Sequence, residues 1–334
     1  MKVLVYSDIH ISQDSSIVKG FKGRYSTRLY YIIKSLDWAE KLADDLNCDS
    51  IFNLGDTFDK PFINAMEATA IQDIVWSKLP HYVLVGNHDS NVSSLEYSSV
   101  SVLKKLNFNI IDKPCIIKDI VCLPYVCESE RKPINEYLGD SKSKLVFSHN
   151  DIAGFNFGGF VSKEGFKLDE INKTCSLFLN GHLHNSSWIS DKVLNVGNLC
   201  GQNFSEDGFK YKHGAWFLDT ETLEIKFYEN PYALNFYKIQ INVGESITKY
   251  KFGPNAVLMI KCERSMVESI KKELEKLNTV AYRILVFDSI VSKSESENVK
   301  LQESLDYMGE FCKFIKNELG DSKIVNEELA EIIK

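Results

Sequence analysis

The chain has 334 residues, more than one typical domain, which predicts one large domain with a smaller appendage. Its 44% apolar content supplies a substantial core, yet no run approaches the roughly 18 to 20 apolar residues of a membrane span, so a soluble chain without membrane contact is expected. A net charge of −7 excludes a general basic coat for nucleic acid while leaving room for a local basic groove, and eight scattered cysteines without a CxxC pair exclude a disulfide framework.

Reduced thiols fit the cytoplasm, and Lys2-Val3-Leu4-Val5-Tyr6 is too short for the apolar core of a signal peptide. Val3 to Tyr6 reads instead as a buried strand that opens into Ser7-Asp8-Ile9-His10. Between Asp14 and Asp37 lie Lys19, Lys22, Arg24, Arg28 and Lys34 with no acidic residue, interleaved with Phe21, Tyr25, Tyr30 and Tyr31. Such a segment either holds phosphates beside a metal site or is an ordinary solvated loop.

Leu29, Ile32, Ile33, Leu36, Ala39 and Leu42 recur at helical spacing, which predicts a helix from about Leu29 to Leu46. Ser50 to Leu54 is the next strand and delivers Gly55-Asp56-Thr57-Phe58-Asp59. A second helix, Asn64 to Lys78, leads to a strand at His81 to Val85 and then to Gly86-Asn87-His88-Asp89. This alternation of strand and helix predicts an α/β architecture whose parallel strands place their loops on one edge.

After Ser90 short strands dominate: Phe108–Ile111, Cys115–Ile117, Ile120–Leu123, Lys144–Phe147, Leu177–Leu179, Val193–Val196, Ala215–Leu218 and Glu224–Tyr228. They predict a second sheet facing the first, with Phe147-Ser148-His149 and Asn180-Gly181-His182-Leu183-His184 at two strand ends. Composition shifts after Pro231, beyond which there is no histidine. Strands at Phe236–Ile241, Val257–Ile260 and Tyr282–Phe287 with a helix at Met266–Leu277 predict a small α/β capping domain. The expected division is 1–235, a cap at 236–289, a polar linker at 290–300, and a helical pair at 301–334 comprising Leu301–Leu319 and Val325–Ile333.

Asp8, His10, Asp56, Asn87, His149, His182 and His184 supply seven oxygen and nitrogen donors, enough for two adjacent cations sharing one carboxylate. Asp56 is the candidate for the shared ligand, because a carboxylate spans two ions whereas an imidazole nitrogen serves one. Singly, each residue has a bland explanation: Asp8 or Asp56 as a helix N-cap, Asn87 as a turn residue, His182 and His184 on one face of a strand. Together they point to a metal centre, since five of the seven histidines fall in these motifs, each behind an apolar run. His81 and His213 fall outside them. Thiolate zinc is excluded, as no motif contains cysteine.

The ordered motifs D-x-H, G-D-x-x-D, G-N-H-D, H and G-H-x-H resemble those of the calcineurin-like metallophosphoesterase superfamily, whose fold is two facing β-sheets flanked by helices. Carried over by position, the resemblance implies Asp8, His10, Asp56 and His184 on one ion and Asp56, Asn87, His149 and His182 on the other. It implies that His88 binds no metal but stabilises the transition state or protonates the leaving oxygen, with Asp89 orienting a neighbouring imidazole. The implied reaction is phosphate ester hydrolysis by two cations, roughly 3.5–4 Å apart, that activate a water for in-line displacement. The donor set suits Mn²⁺, with Fe or Zn²⁺ as alternatives.

Asp59-Lys60-Pro61 replaces the Arg-Gly of protein phosphatases, and Asp89 replaces their glutamate. Asn195-Val196-Gly197-Asn198, the polar turn Ser205-Glu206-Asp207-Gly208, the cap and the terminal helices resemble instead the SbcD-type exonuclease subunit, particularly its bacteriophage form. Ser148 and Asn198 depart from the family's usual glycine and hydroxyl residue without removing a ligand. The resemblance implies a DNA nuclease of repair and recombination, with double-strand 3′–5′ exonuclease and single-strand endonuclease activity. It would work as a homodimer on an SMC-like ATPase of SbcC type, in the cytoplasm, or the host cytoplasm if phage-encoded. Asn64–Lys78 and the region of Leu95–Leu106 are the candidate dimer surface, and Lys19, Lys22, Arg24 and Arg28 the candidate DNA contacts. Two alternatives stand beside this reading: a small-molecule or cyclic-nucleotide phosphodiesterase, and a non-catalytic scaffold of the same fold.

Overall fold

Side chains on the first strand, β1 (Lys2–Tyr6), alternate between two cores: Val3 and Val5 face a second sheet, while Leu4 and Tyr6 pack toward a helix. The computed structural model describes residues 1–91, 95–155 and 162–287. The linker expected at 290–300 and the helices expected at Leu301–Leu319 and Val325–Ile333 lie outside these residues.

In chain order, β1 is followed by α1 (Thr27–Asp45), β2 (Ser50–Asn53), α2 (Ala65–Asp73), β3 (His81–Leu84), β4 (Asn109–Ile111), β5 (Cys115–Ile117), β6 (Ile120–Leu123) and β7 (Leu145–Ser148). Then come α3 (Leu168–Thr174), β8 (Leu177–Asn180), β9 (Ser187–Ser190), β10 (Val193–Asn195), β11 (Gly214–Asp219) and β12 (Ile225–Glu229). The last described elements are β13 (Asn235–Ile241), β14 (Ala256–Glu263), α4 (Val267–Leu274) and β15 (Thr279–Phe287).

Two six-stranded sheets face each other, in the orders β12-β11-β1-β2-β3-β4 and β9-β10-β8-β7-β6-β5. Parallel pairing of β1, β2, β3 and β4 in one sheet, and of β6, β7, β8 and β10 in the other, brings the loops after these strands to a common edge. Val3, Val5, Phe52 and Leu54 meet Leu145, Phe147, Leu177 and Leu179 in the core between the sheets. Each such side chain contributes about 1.5–3 kcal/mol relative to exposure. The outer faces are covered by α1, through Leu29, Ile32, Leu36 and Ala39, and by Ile171 of α3.

The late strands do not all join the second sheet as expected. β4 pairs with β3, and β11 returns antiparallel to β1 with β12 beside it, so these three extend the first sheet. Alternation tells which face of a strand is apolar, whereas the neighbour is fixed by long-range contacts. The helix expected to reach Lys78 stops at Asp73, because α1 takes up the following chain: Val75 N donates to Asp37 and Ser77 N to Glu40. Its start is fixed by a reciprocal capping box between Asn64 and Glu67.

A third, all-parallel sheet, β13-β14-β15, packs its own core against Ile270 and Leu274 of α4. Phe236 and Val257 of this sheet also enter the α1-side core. No helix among the described residues is long and apolar enough to cross a membrane.

Candidate metal centre

Five strand ends and the loops behind them build the site. The loops after β1 and β2 are zipped together by Asp8 N to Gly55 O, His10 N to Asp56 O and Ile11 N to Thr57 O, at 3.0, 3.0 and 2.7 Å. Asp8, His10, Asp56 and His182 hold positive φ of 52°, 47°, 48° and 75°. L-residues are held there at a cost of order 1–3 kcal/mol each, a pattern that concentrates at functional sites. Gly86 and Gly55 make the convergence feasible: a Cβ on Gly86 would overlap Asp56, and one on Gly55, at φ 119°, would meet His149 Cγ at 2.6 Å.

Asp8, His10 and His184 form one donor cluster and Asp56, His149 and His182 another, with the donor atoms of each within 4.8 Å of one another. Asp56 also belongs with His10, to which its Oδ2 lies 3.7 Å from Nε2, while the same oxygen is 3.2 Å from His149 Nε2. Asn87 Oδ1 completes the second cluster, 3.2 Å from His149 Nε2 and 3.0 Å from His182 Nδ1. All seven donors expected from the sequence are therefore brought together, and His182 and His184 sit past the end of β8 rather than on one strand face.

Each imidazole is turned by a partner on its outer nitrogen. His149 Nδ1 donates to Leu54 O at 2.8 Å and His184 Nδ1 to Glu206 at 2.9 Å, while His10 Nδ1 lies 3.3 Å from the Asp59 carboxylate and His182 Nε2 3.3 Å from that of Asp151, as ion-pair contacts. In the neutral rings that metal binding requires, the inner nitrogens carry lone pairs that face carboxylate and amide oxygens, whereas without a cation His149 holds a second proton against Asp56. Acceptors converging on acceptors is an arrangement that a cation resolves. Asp8 Oδ1 and His10 Nε2, buried and 4.0 Å apart, have no hydrogen-bond partner among the described residues, which would cost about 1–3 kcal/mol per atom if nothing else bound them. The donors present thus fit a pair of divalent ions.

Electrostatics agree. Burial alone would raise the Asp56 carboxyl, but His149 and His10 hold it well below the usual carboxylate range. Burial lowers His149, yet Asp56 outweighs it and pushes the imidazole up to about 9. The centre thus draws positive charge to itself.

His88 is exposed and edge-on to His10, ring centroids 4.8 Å apart. Its N–H donates to Asp56 Oδ1 at 2.9 Å and its Nδ1 donates to Asp59 O at 3.2 Å. Because a ring nitrogen also falls in a cluster with His10 and Asp56, this position suits a ligand or a group facing substrate.

Among the described residues Asp89 makes no hydrogen bond to the imidazole it was expected to orient. Its carboxylate accepts from the backbone N–H groups of Phe58, Gly86 and Thr57 at 2.8, 2.9 and 3.3 Å, pinning the loop after β2 to the turn after β3. Burial and the charge of Asp56 push it up to about 7.

The basic segment also differs from expectation. Arg28 is 5% exposed in the first turn of α1, with its guanidinium toward His10 O, so a DNA backbone does not reach it. Arg24 pairs with Asp73, Lys22 donates to Tyr31 OH at 2.7 Å, and Lys19 alone of the four is exposed with no pairing described. Glu206, Asp151 and the role of Asp59 were not legible as functional. Asp59 lay inside a motif, Asp151 two residues after His149 and Glu206 in the polar turn 205–208, but nothing local marks Glu206 as the partner of His184.

A sequence profile of the calcineurin-like phosphoesterases matches residues 1–236. The chain is 25% identical over 242 residues to exonuclease subunit 1 of Enterobacteria phage T4, covering 70% of each protein. Among solved structures it resembles an archaeal phosphodiesterase (TM-score 0.37, 15% identity, 69% of this chain and 99% of that one). It also resembles the Pseudomonas putida nuclease MPE (TM-score 0.29, 12% identity, 67% and 87%). Proteins of this family use a dinuclear divalent metal centre, and two donor clusters with Asp56 of one beside His10 of the other have that form. With the profile spanning both facing sheets and every donor, the chain belongs to the calcineurin-like phosphoesterase family.

Proposed function

We propose that this phosphoesterase is a metal-dependent DNA nuclease, a double-strand 3′–5′ exonuclease and single-strand endonuclease, acting as the homodimeric nuclease subunit of an SbcCD-like recombination or repair complex with an SMC-like ATPase. The observation that carries the hydrolytic part is the Asp56 carboxylate between two donor clusters. The DNA part is supported by the likeness to a phage exonuclease subunit over 242 residues.

Asp8, His10, Asp56 and His184 would hold one ion and Asp56, Asn87, His149 and His182 the other, with Mn²⁺ favoured by the mixed oxygen and nitrogen donors. When bound, such a pair lowers the pKa of an attacking water and neutralises phosphoryl oxygens. The chain's own groups set the geometry: Leu54 O, Glu206, Asp59 and Asp151 fix the rings, and Asp89 fixes the loops that carry Asp56 and Asn87. His88, with Nδ1 turned to Asp59 O, offers Nε2 to the substrate, to stabilise the transition state or, as the imidazolium, to protonate the departing oxygen.

The test is cleavage of end-labelled duplex and single-stranded DNA with Mn²⁺ or Mg²⁺, with and without a coexpressed ATPase partner. Laddered products from wild type, and metal uptake without cleavage by His88→Ala, are expected. Turnover of cyclic nucleotides with intact DNA would favour the small-molecule reading, and full cutting by His88→Ala would remove that residue from the chemistry.

A further inference from the structure

A cavity of about 700 Å³ opens beside the metal centre, with His182 and His184 on its wall and Lys210, Tyr211, Lys238 and Phe155 around it. Its volume lies in the range, roughly 300–1,000 Å³, of sites that enclose a small-molecule unit. One imidazole of each donor cluster borders it, so a group seated there lies against a candidate ligand of each.

The turn 205–211 builds the opposite wall and ties three things together. Glu206 accepts from His184 at 2.9 Å. Gly208 N donates to Phe236 O on β13 at 2.8 Å, fastening the turn to the third sheet. Asp207 O accepts from Lys210 N and Tyr211 N at 2.9 and 2.8 Å, while its Oδ1 accepts from Phe209 N at 3.0 Å. The acidic residue on the wall is thus occupied in shaping the turn, and Lys210 and Lys238 are left exposed. Lys210 Nζ stands over one face of the Tyr211 ring at 4.9 Å, which leaves the other face for a stacked base. A second cavity of about 270 Å³ shares Ser205, Asp207 and Lys238 with the first and continues toward Phe209, so Lys238 stands between two compartments.

Two lysines and an aromatic ring lining one groove suit a sugar-phosphate backbone whose base is free to stack, which an intact duplex does not offer. Resting on the nuclease reading, we infer that this groove seats the unpaired nucleotides next to the scissile phosphate, with Lys210 and Lys238 on successive phosphates and Tyr211 under a base.

The experiment measures kcat/KM for a single-stranded DNA oligonucleotide and for bis(p-nitrophenyl) phosphate, with Mn²⁺, in wild type, Tyr211→Ala, Tyr211→Phe and Lys238→Ala. The oligonucleotide-to-small-diester ratio is expected to fall about tenfold in Tyr211→Ala and to be kept in Tyr211→Phe. The log–log salt slope for the oligonucleotide should drop by about 1 in Lys238→Ala. Ratios and slopes equal to wild type, or parallel losses on both substrates, overturn the groove assignment. Wild type that turns over the small diester but cuts no oligonucleotide refutes the nuclease reading itself.

Discussion

Asp56 follows a strand of the first sheet and His149 a strand of the second, yet Oδ2 of one lies 3.2 Å from Nε2 of the other. The candidate centre therefore sits across the edge where the sheets meet, and the packing of Phe52 and Leu54 against Phe147 and Leu179 sets its dimensions.

If Asp56 serves both clusters, Asp56→Asn should lower metal stoichiometry below two per chain. Phosphodiesterase activity should fall by more than the roughly 10–100-fold that loss of an outer partner costs. Calorimetric metal titration with turnover of bis(p-nitrophenyl) phosphate checks this, and a variant retaining two ions would deny the shared role.

Glu206 is fully buried and accepts from His184 Nδ1, Asn198 Nδ2 and Gln202 N at 2.9, 3.0 and 2.7 Å. Glu206→Ala should weaken metal binding at the Asp8, His10 and His184 cluster by about 10–100-fold, and Glu206→Gln by less, because the amide oxygen still accepts. Metal titration of the two variants separates ring orientation from simple misfolding, for a misfolded variant would lose both ions together.

Asp89 gives a pH dependence with a defined sign. Its folded pKa, near 7, is raised from the ordinary 3.8 by burial and by Asp56. The stability it contributes is therefore fully present below pH 3.8 and is lost as pH rises toward 7. In chelator-treated protein the melting temperature of wild type should decline across this window relative to Asp89→Asn. Adding Mn²⁺ should flatten the difference, since nearby cations favour the ionised form. Parallel pH profiles for the two proteins would show that Asp89 does not titrate there.

Gly86→Ala places a methyl group on the Asp56 carboxyl and backbone N–H. Overpacking costs about 1–3 kcal/mol, so the variant should melt earlier and bind metal poorly. Thermal denaturation with metal analysis tests it. An unchanged melting temperature would mean that the turn has room to shift.

The amino-acid sequence by itself determined the donor set and the strands behind it. An apolar run followed by Asp, His or Asn is a local pattern, and Gly55 and Gly86 mark where the chain must turn tightly. It also determined the strand-helix grammar, because side-chain periodicity is a property of neighbouring residues. Only the tertiary structure decided that β11 and β12 return to the first sheet, since a strand's pattern names its apolar face and not its partner. Only it showed Arg28 sealed under the His10 loop, Asp89 bracing backbone amides, and Glu206 reaching His184 from a distant turn. Those roles depend on which buried hydrogen-bond partner lies within about 3 Å after packing, and no spacing along the chain encodes that distance.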